Sequence, residues 1–193
     1  MAREALTEIT LGGAAKALAE CDRDLASILQ KLGPPPLWAR RPGFSTLVKI
    51  ILEQQVSLAS AASMFARLKK NIVPFQPERM LELGEAHLKS QGLTRQKTAY
   101  CLHLAQSLAD KRLRLAQLSR MNDIDAKTAL LELKGIGPWS ADIYLLMALG
   151  RPDIWPTNDL ALAVAITELR QLTSVQTQLN WRKWLRRGDP IVQ

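Results

Sequence analysis

The stretch Leu130-Leu131-Glu132-Leu133-Lys134-Gly135-Ile136-Gly137-Pro138-Trp139-Ser140-Ala141-Asp142 holds the residues best suited to chemistry. Two glycines flanking an aliphatic residue make a tight reversal between helices, because glycine tolerates positive φ and lets backbone approach a ligand closely. Ile136 is expected to plug the turn into the core, and Pro138 to open the next helix. The first amides of that helix lack intrahelical partners, and its dipole favours an anion. A DNA phosphate suits such a place without requiring a particular base. An ordinary αα-hairpin with a glycine turn is the alternative reading of the same residues. Asp159, in Trp155-Pro156-Thr157-Asn158-Asp159-Leu160, opens an apolar helix with Leu160, Leu162, Val164 and Ile166, beside helix-capping Asn158. An acid there can simply complement the helix dipole. In a dry cleft the same carboxylate would stabilise developing positive charge, a role for which Asp153 and Asn158 also compete.

Other reactive side chains are sparse. Cys21 and Cys101 are far apart and cannot make a zinc site or the four-thiolate cradle of an iron–sulfur cluster. Cys101 lies in an apolar-periodic run and reads as a buried, reduced thiol. His87 and His103 have no partner spacing and read as satisfied surface or core residues. Lys and Arg total 26 against 18 Asp and Glu, a formal net charge of +8, which favours an anionic partner. Nucleic acid comes before membrane, since no basic amphipathic segment stands out and no apolar run nears the ~20 residues that span a bilayer. Met1-Ala2-Arg3-Glu4 leads directly into a polar helical pattern, so no signal peptide is expected. The expected setting is cytoplasmic, or nuclear in a eukaryote. The 193 residues fit one domain or two small lobes, and 47% hydrophobic residues can bury a core.

Helices must position these groups, because 3.6-residue periodicity recurs and strand alternation is absent. Residues 11–32 place Leu18, Leu25, Ile28, Leu29 and Leu32 on one face, stopped by Gly33 and Pro34-Pro35-Pro36. Residues 43–70 form two helical halves, broken around 54–56, with Ser57 able to cap the second. Pro77 opens a helix to about Gly84, and a short piece over 85–91 ends at Gly92. Thr94 caps residues 95–109, with Ala99, Leu102, Ala105, Gln106 and Leu108 near the inner face. Asn122 or Asp123 caps a helix through Leu133, the hairpin follows, and residues 138–149 run to Gly150-Arg151-Pro152. Asn158 precedes a helix through about Leu169, and a basic segment occupies 175–187. About nine helices joined by short turns make an all-α fold.

The run from Leu133 to Ala141, with Asp159 twenty-two residues after Gly137, resembles the helix-hairpin-helix (HhH-GPD) base-excision DNA glycosylases with their Gly/Pro-rich loop and Asp. Within that superfamily it resembles the alkylated-base branch, the 3-methyladenine DNA glycosylase II type. Ile50-Ile51-Leu52-Glu53-Gln54-Gln55-Val56-Ser57 is similar to that branch's helix-break motif, and the resemblance spans roughly residues 42–184. It implies a single domain over 1–193, two helical lobes flanking a DNA and active-site cleft, and the helix-hairpin-helix at about 122–149. It also implies that amides of Gly135, Gly137 and Trp139 hold a backbone phosphate. Carbonyls of Leu131, Leu133 and Ile136 match positions that coordinate a structural Na⁺ or K⁺, Asp159 matches the catalytic aspartate, and Gln55 the residue that wedges into the duplex. Trp139 and Trp155 are candidates for the substrate pocket, a cationic alkylpurine gaining cation–π attraction over an indole. Packing in the core or under a loop is the alternative for both.

The implied chemistry is excision of a flipped-out base from double-stranded DNA. Breaking C1′–N builds oxocarbenium character on the sugar, which a fixed Asp159 carboxylate would stabilise while orienting water. Strand-nicking members carry a Schiff-base lysine where this chain has Trp139, and Lys134 lies on the wrong side of the turn. The expectation is therefore a monofunctional hydrolase without lyase activity, with no cofactor beyond the hairpin ion and no iron–sulfur cluster, acting as a monomer. A catalytically silent DNA-binding helix-hairpin-helix module is the alternative. Departures from the pattern are Glu53, which would add negative charge near the cleft, Ile143 in place of an aromatic, and the end of the chain. There Asn180-Trp181-Arg182-Lys183-Trp184 resembles the closing helix, but Gly188-Asp189-Pro190 is expected to shorten it.

Overall fold

The computed structural model describes residues 5–170, and these contain helices and turns with no strand. In chain order the helices are α1 (Glu8–Cys21), α2 (Arg23–Leu32), α3 (Phe44–Glu53), α4 (Leu58–Asn71), α5 (Pro77–Ser90), α6 (Arg95–Ala109), α7 (Leu115–Leu118), α8 (Asp123–Leu131), α9 (Pro138–Ile143) and α10 (Leu160–Leu169). A π-helical turn, Tyr144–Ala148, continues α9. The all-α expectation holds. The described residues form two compact units, one from residues 39–155 and the other from residues 5–38 with 156–170.

In the larger unit, α3 is the core element. Leu47, Val48, Ile50, Ile51 and Leu52 are completely buried, because a helix apolar nearly all round must be enclosed by others. These residues share one buried cluster with Leu68 of α4, Met80 and Leu88 of α5, Leu104 and Ala105 of α6, Leu130 of α8, and Tyr144 and Leu145 of the π turn. The Tyr144 hydroxyl accepts the Gly43 amide at 3.1 Å at the start of α3. Burial raises the Tyr144 pKa, and this hydrogen bond opposes the rise.

Helix ends with a chemical marker fall where the residues put them. Ser57 Oγ accepts from the Ser60 amide, Thr94 Oγ1 from Lys97, and Asn122 Oδ1 from Asp125. Pro77 and Pro138 occupy first turns, and Gly84, at φ +69°, kinks α5 where the expected helix ends. Three expectations need correction. Residues 11–32 are two helices, because Asp22 leaves helical geometry and its Oδ1 caps α2 through the Asp24 and Leu25 amides. Asp22 and Asp24 also pair with Arg170, each at 2.6 Å. On the inner face of α6, Ala105 is buried and Leu102 and Leu108 pack against the core as expected, but Ala99 and Gln106 are exposed, and Lys97, Thr98, Cys101, Leu104 and Ser107 are buried instead. Residues 138–149 do not stay α-helical, since the Leu149 amide reaches back five residues to the Tyr144 carbonyl. Arg151, read from sequence only as part of a helix stop, is buried and donates to the Ser119 and Met121 carbonyls at 3.0 and 2.9 Å.

Candidate nucleic-acid interface and carboxylate

The hairpin begins as α8 runs out. The Leu133 amide bonds the Leu130 carbonyl, and the Ile136 amide bonds the Leu133 carbonyl at 3.0 Å. Ile136 is buried, as expected of the plug. The two glycines have different jobs. Gly135 has φ +90°, and a Cβ there would overlap the Tyr100 ring. Gly137 has φ −88° and ψ 179°, ordinary extended backbone, and a Cβ there would meet nothing within 4 Å. The expectation that both glycines serve positive φ is therefore corrected. Gly135 is needed by the fold, while Gly137 leaves an open face at the start of α9. Among the described residues no side chain caps that end, and an uncapped helix start suits an anion.

One face of α6 carries the hairpin. Tyr100 packs under Gly135, and His103 Nδ1 accepts the Lys134 amide at 3.2 Å. His103 thus has a structural partner, in keeping with its reading as a satisfied residue. Beneath the turn, Lys127 of α8 and buried Asp142 of α9 pair at 2.6 Å. The carbonyls of Leu131, Leu133 and Ile136 lie within this turn at the C-terminal end of α8. Oxygen donors at a helix C-terminus suit a hard cation. The Leu133 carbonyl already accepts one amide, and its second lone pair remains suitable for an ion.

The break between α3 and α4 is held residue by residue. Lys97 of α6 donates to the Leu52 carbonyl at 2.7 Å. Glu53 pairs with Arg40 at 2.8 Å and lies 4.0 Å from Lys49, so its charge is balanced locally instead of standing as uncompensated negative charge. Gln54 donates from Nε2 to the Gly135 carbonyl at 2.8 Å and to Ser140 Oγ at 3.0 Å. Gln55 follows, exposed and left-handed at φ +55°, next to exposed Val56 and Leu58. A non-glycine residue held in that region marks a position that its surroundings impose.

Sequence reading singled out Gln55 but missed Gln54, Lys97 and Tyr100. The available signal was Lys97 itself, a lysine on the apolar stripe with Leu93, Cys101 and Leu104. Burial holds its ammonium below the ordinary lysine value of 10.5, partly opposed by the neighbouring Cys101 thiol, which burial pushes up to about 12. The unfolded chain therefore binds the Lys97 proton more tightly than the folded chain. Between the lowered folded value and 10.5, stability contributed by this site should rise with pH. Burial of the Cys101 thiol and the Tyr144 phenol lowers stability over the same range. The urea midpoints of Lys97→Met, which lacks the opposing contribution, should therefore fall more steeply with alkaline pH than those of the wild type.

Trp139 is half-buried and packs against the core cluster, while Trp155 keeps 38% exposure. In the smaller unit, Asp159, not Asn158, is the N-cap of α10, and its Oδ1 accepts the Leu162 amide at 3.0 Å. Asn158 takes the left-handed conformation at φ +66°, which its short polar side chain tolerates. The two residues together fix the carboxylate at the head of an apolar helix. The closing segment with Trp181 and Trp184, and the basic stretch 175–187, lie outside the described residues.

The chain belongs to the HhH-GPD superfamily of base excision DNA repair proteins, whose family model matches residues 48–187. Among its relatives, a DNA-3-methyladenine glycosylase of Bacillus subtilis is 30% identical over 179 residues, covering 81% of this chain and 56% of that protein. The chain spans about half the length of the curated relatives it matches first. The fold is that of a Schizosaccharomyces pombe 3-methyladenine DNA glycosylase solved with abasic DNA, at TM-score 0.77, 20% identity and coverage of 95% of this chain and 89% of that one. A 3-methyladenine DNA glycosylase of Archaeoglobus fulgidus is similar at TM-score 0.73 and 23% identity, covering 90% of this chain and 64% of that one.

Proposed function

We propose that this chain is a monofunctional DNA glycosylase that hydrolyses the N-glycosidic bond of alkylated bases, of the 3-methyladenine or 7-methylguanine kind, in double-stranded DNA. The observation that carries the reading is the Asp159 carboxylate, fixed as the N-cap of α10 in a chain of this superfamily. Its relatives named as 3-methyladenine glycosylases support the substrate class. Amides of Gly135, Gly137 and Trp139 grip one phosphate, Gln55 fills the gap left by the extruded nucleotide, and Asp159 stabilises the sugar cation and orients water. Trp139 and Trp155 offer aromatic faces to a cationic base. The Leu131, Leu133 and Ile136 carbonyls would hold Na⁺ or K⁺, whose positive charge would strengthen the phosphate grip.

Trp139 stands where a strand-nicking enzyme needs its amine, so the product is free base and an intact strand with an abasic site. Incubation with alkylated duplex should give no nicks beyond those of the abasic DNA alone. Borohydride should trap no protein–DNA adduct. A trapped adduct would assign the attack on C1′ to a lysine and overturn the monofunctional reading.

A further inference from the structure

We propose that Gln54 is a positioning residue that couples extrusion of the base to the grip on the phosphate, by locking the Gln55 turn to the hairpin through one side chain. This rests on the glycosylase reading above. The Gln54 amide nitrogen has two hydrogens, and both are engaged, one by the Gly135 carbonyl and one by Ser140 Oγ. Gly135 is the left-handed residue of the turn, and Ser140 is buried in the first turn of α9. The two bonds therefore straddle the Gly137 and Trp139 amides. On the other side, the Gln54 backbone leads directly into Gln55, one peptide away and held at φ +55°.

The segment before Gln54 has little freedom to absorb movement. The Leu52 carbonyl is held by Lys97, and the Glu53 carboxylate by Arg40. A shift of the hairpin relative to Gln55 must then break the Gln54 bonds or move Gln55 with it. Gripping a phosphate and inserting the wedge become one event, which is how supporting residues preorganise a site.

The chemistry demanded at position 54 is donation, since a backbone carbonyl can only accept. Gln54→Met keeps size but offers no donor. Gln54→Glu is nearly isosteric, yet at neutral pH it sets a carboxylate against the Gly135 carbonyl. Gln54→Lys restores a donor. With full-length protein under single-turnover conditions on alkylated duplex, Gln54→Met should slow base release roughly tenfold, Gln54→Glu more, and Gln54→Lys less than either. The salt dependence of duplex binding should stay unchanged, because no phosphate contact is removed. The readout specific to coupling is a double-mutant cycle. Gln55→Ala should slow the wild type but add little in the Gln54→Met background.

Losses that multiply overturn the proposal, as does a Gln54→Met protein that excises like wild type. If Gln54→Met fails to fold by circular dichroism, the decision passes to the other pair, and a folded Gln54→Lys no faster than Gln54→Glu overturns it. A wild type that releases no base sinks the glycosylase reading instead. The same cycle is then read in affinity for duplex, where additive losses overturn the coupling.

Discussion

Asp159→Asn is expected to lower the rate of base release by roughly 10²–10³, the usual cost of removing one preorganised electrostatic group from a transition state. The substitution is unusually clean at this position. Asp159 caps α10 through the Leu162 amide, and asparagine is as good an N-cap as aspartate, so the helix start survives. Asp159→Ala would confuse the result by removing the cap, a loss of about 1 kcal/mol. Asparagine keeps the side chain's size and removes its negative charge and basicity, the two properties on which the proposed role of Asp159 depends. Affinity for DNA should hold or increase, since the variant carries one negative charge fewer against the proposed polyanionic partner. Exposed Asp153 is the control, and Asp153→Asn should leave the rate nearly unchanged. A folded Asp159→Asn protein with wild-type turnover would remove Asp159 from the chemistry.

The second large effect separates the hairpin glycines. Gly135→Ala is expected to destabilise the protein by about 2–5 kcal/mol. About 1–2 kcal/mol comes from an L-residue in left-handed backbone, and about 1–3 from overpacking against the Tyr100 ring. Adding Tyr100→Ala should relieve the overlap but not the strain. Gly137→Ala should leave stability nearly unchanged, because its backbone is extended and its Cβ direction is open. That open face is the proposed phosphate approach, so Gly137→Ala should instead weaken binding of all duplexes alike, roughly tenfold for one lost charge-assisted contact. Urea midpoints and salt-controlled binding of the two variants will separate the roles. Equal destabilisation by both would contradict the division.

The fold was legible where a helix end carries its own chemistry. Ser57, Pro77, Thr94 and Asn122 each mark a boundary that local hydrogen bonding or proline geometry enforces. Asp22 carries the same marker, but the apolar stripe running past it concealed the break in residues 11–32. Ala99 and Gln106 were misplaced on the inner face of α6 for a tertiary reason. Lys97, Thr98 and Ser107 turn inward, where the Lys97 and Ser107 side chains donate to backbone carbonyls, so polarity did not mark the outside. The π turn has no residue signature, because it is set by which carbonyl the Leu149 amide reaches. Among the candidate residues, Gly135, Gly137 and Asp159 stood out by type and spacing, and Gln55 through the family resemblance alone. Gln54 and Tyr100 did not, because their importance lies in contacts with residues far along the chain.

The central claim is that this chain breaks the glycosidic bond of alkylated bases, and the most direct test is to count free bases released from a methylated duplex under single-turnover conditions. Release of 3-methyladenine or 7-methylguanine by the wild type, falling by roughly 10²–10³ in Asp159→Asn, is the predicted result. A wild-type protein that binds the same duplex with steep salt dependence yet releases no base would contradict the claim and identify a DNA-binding module without catalysis.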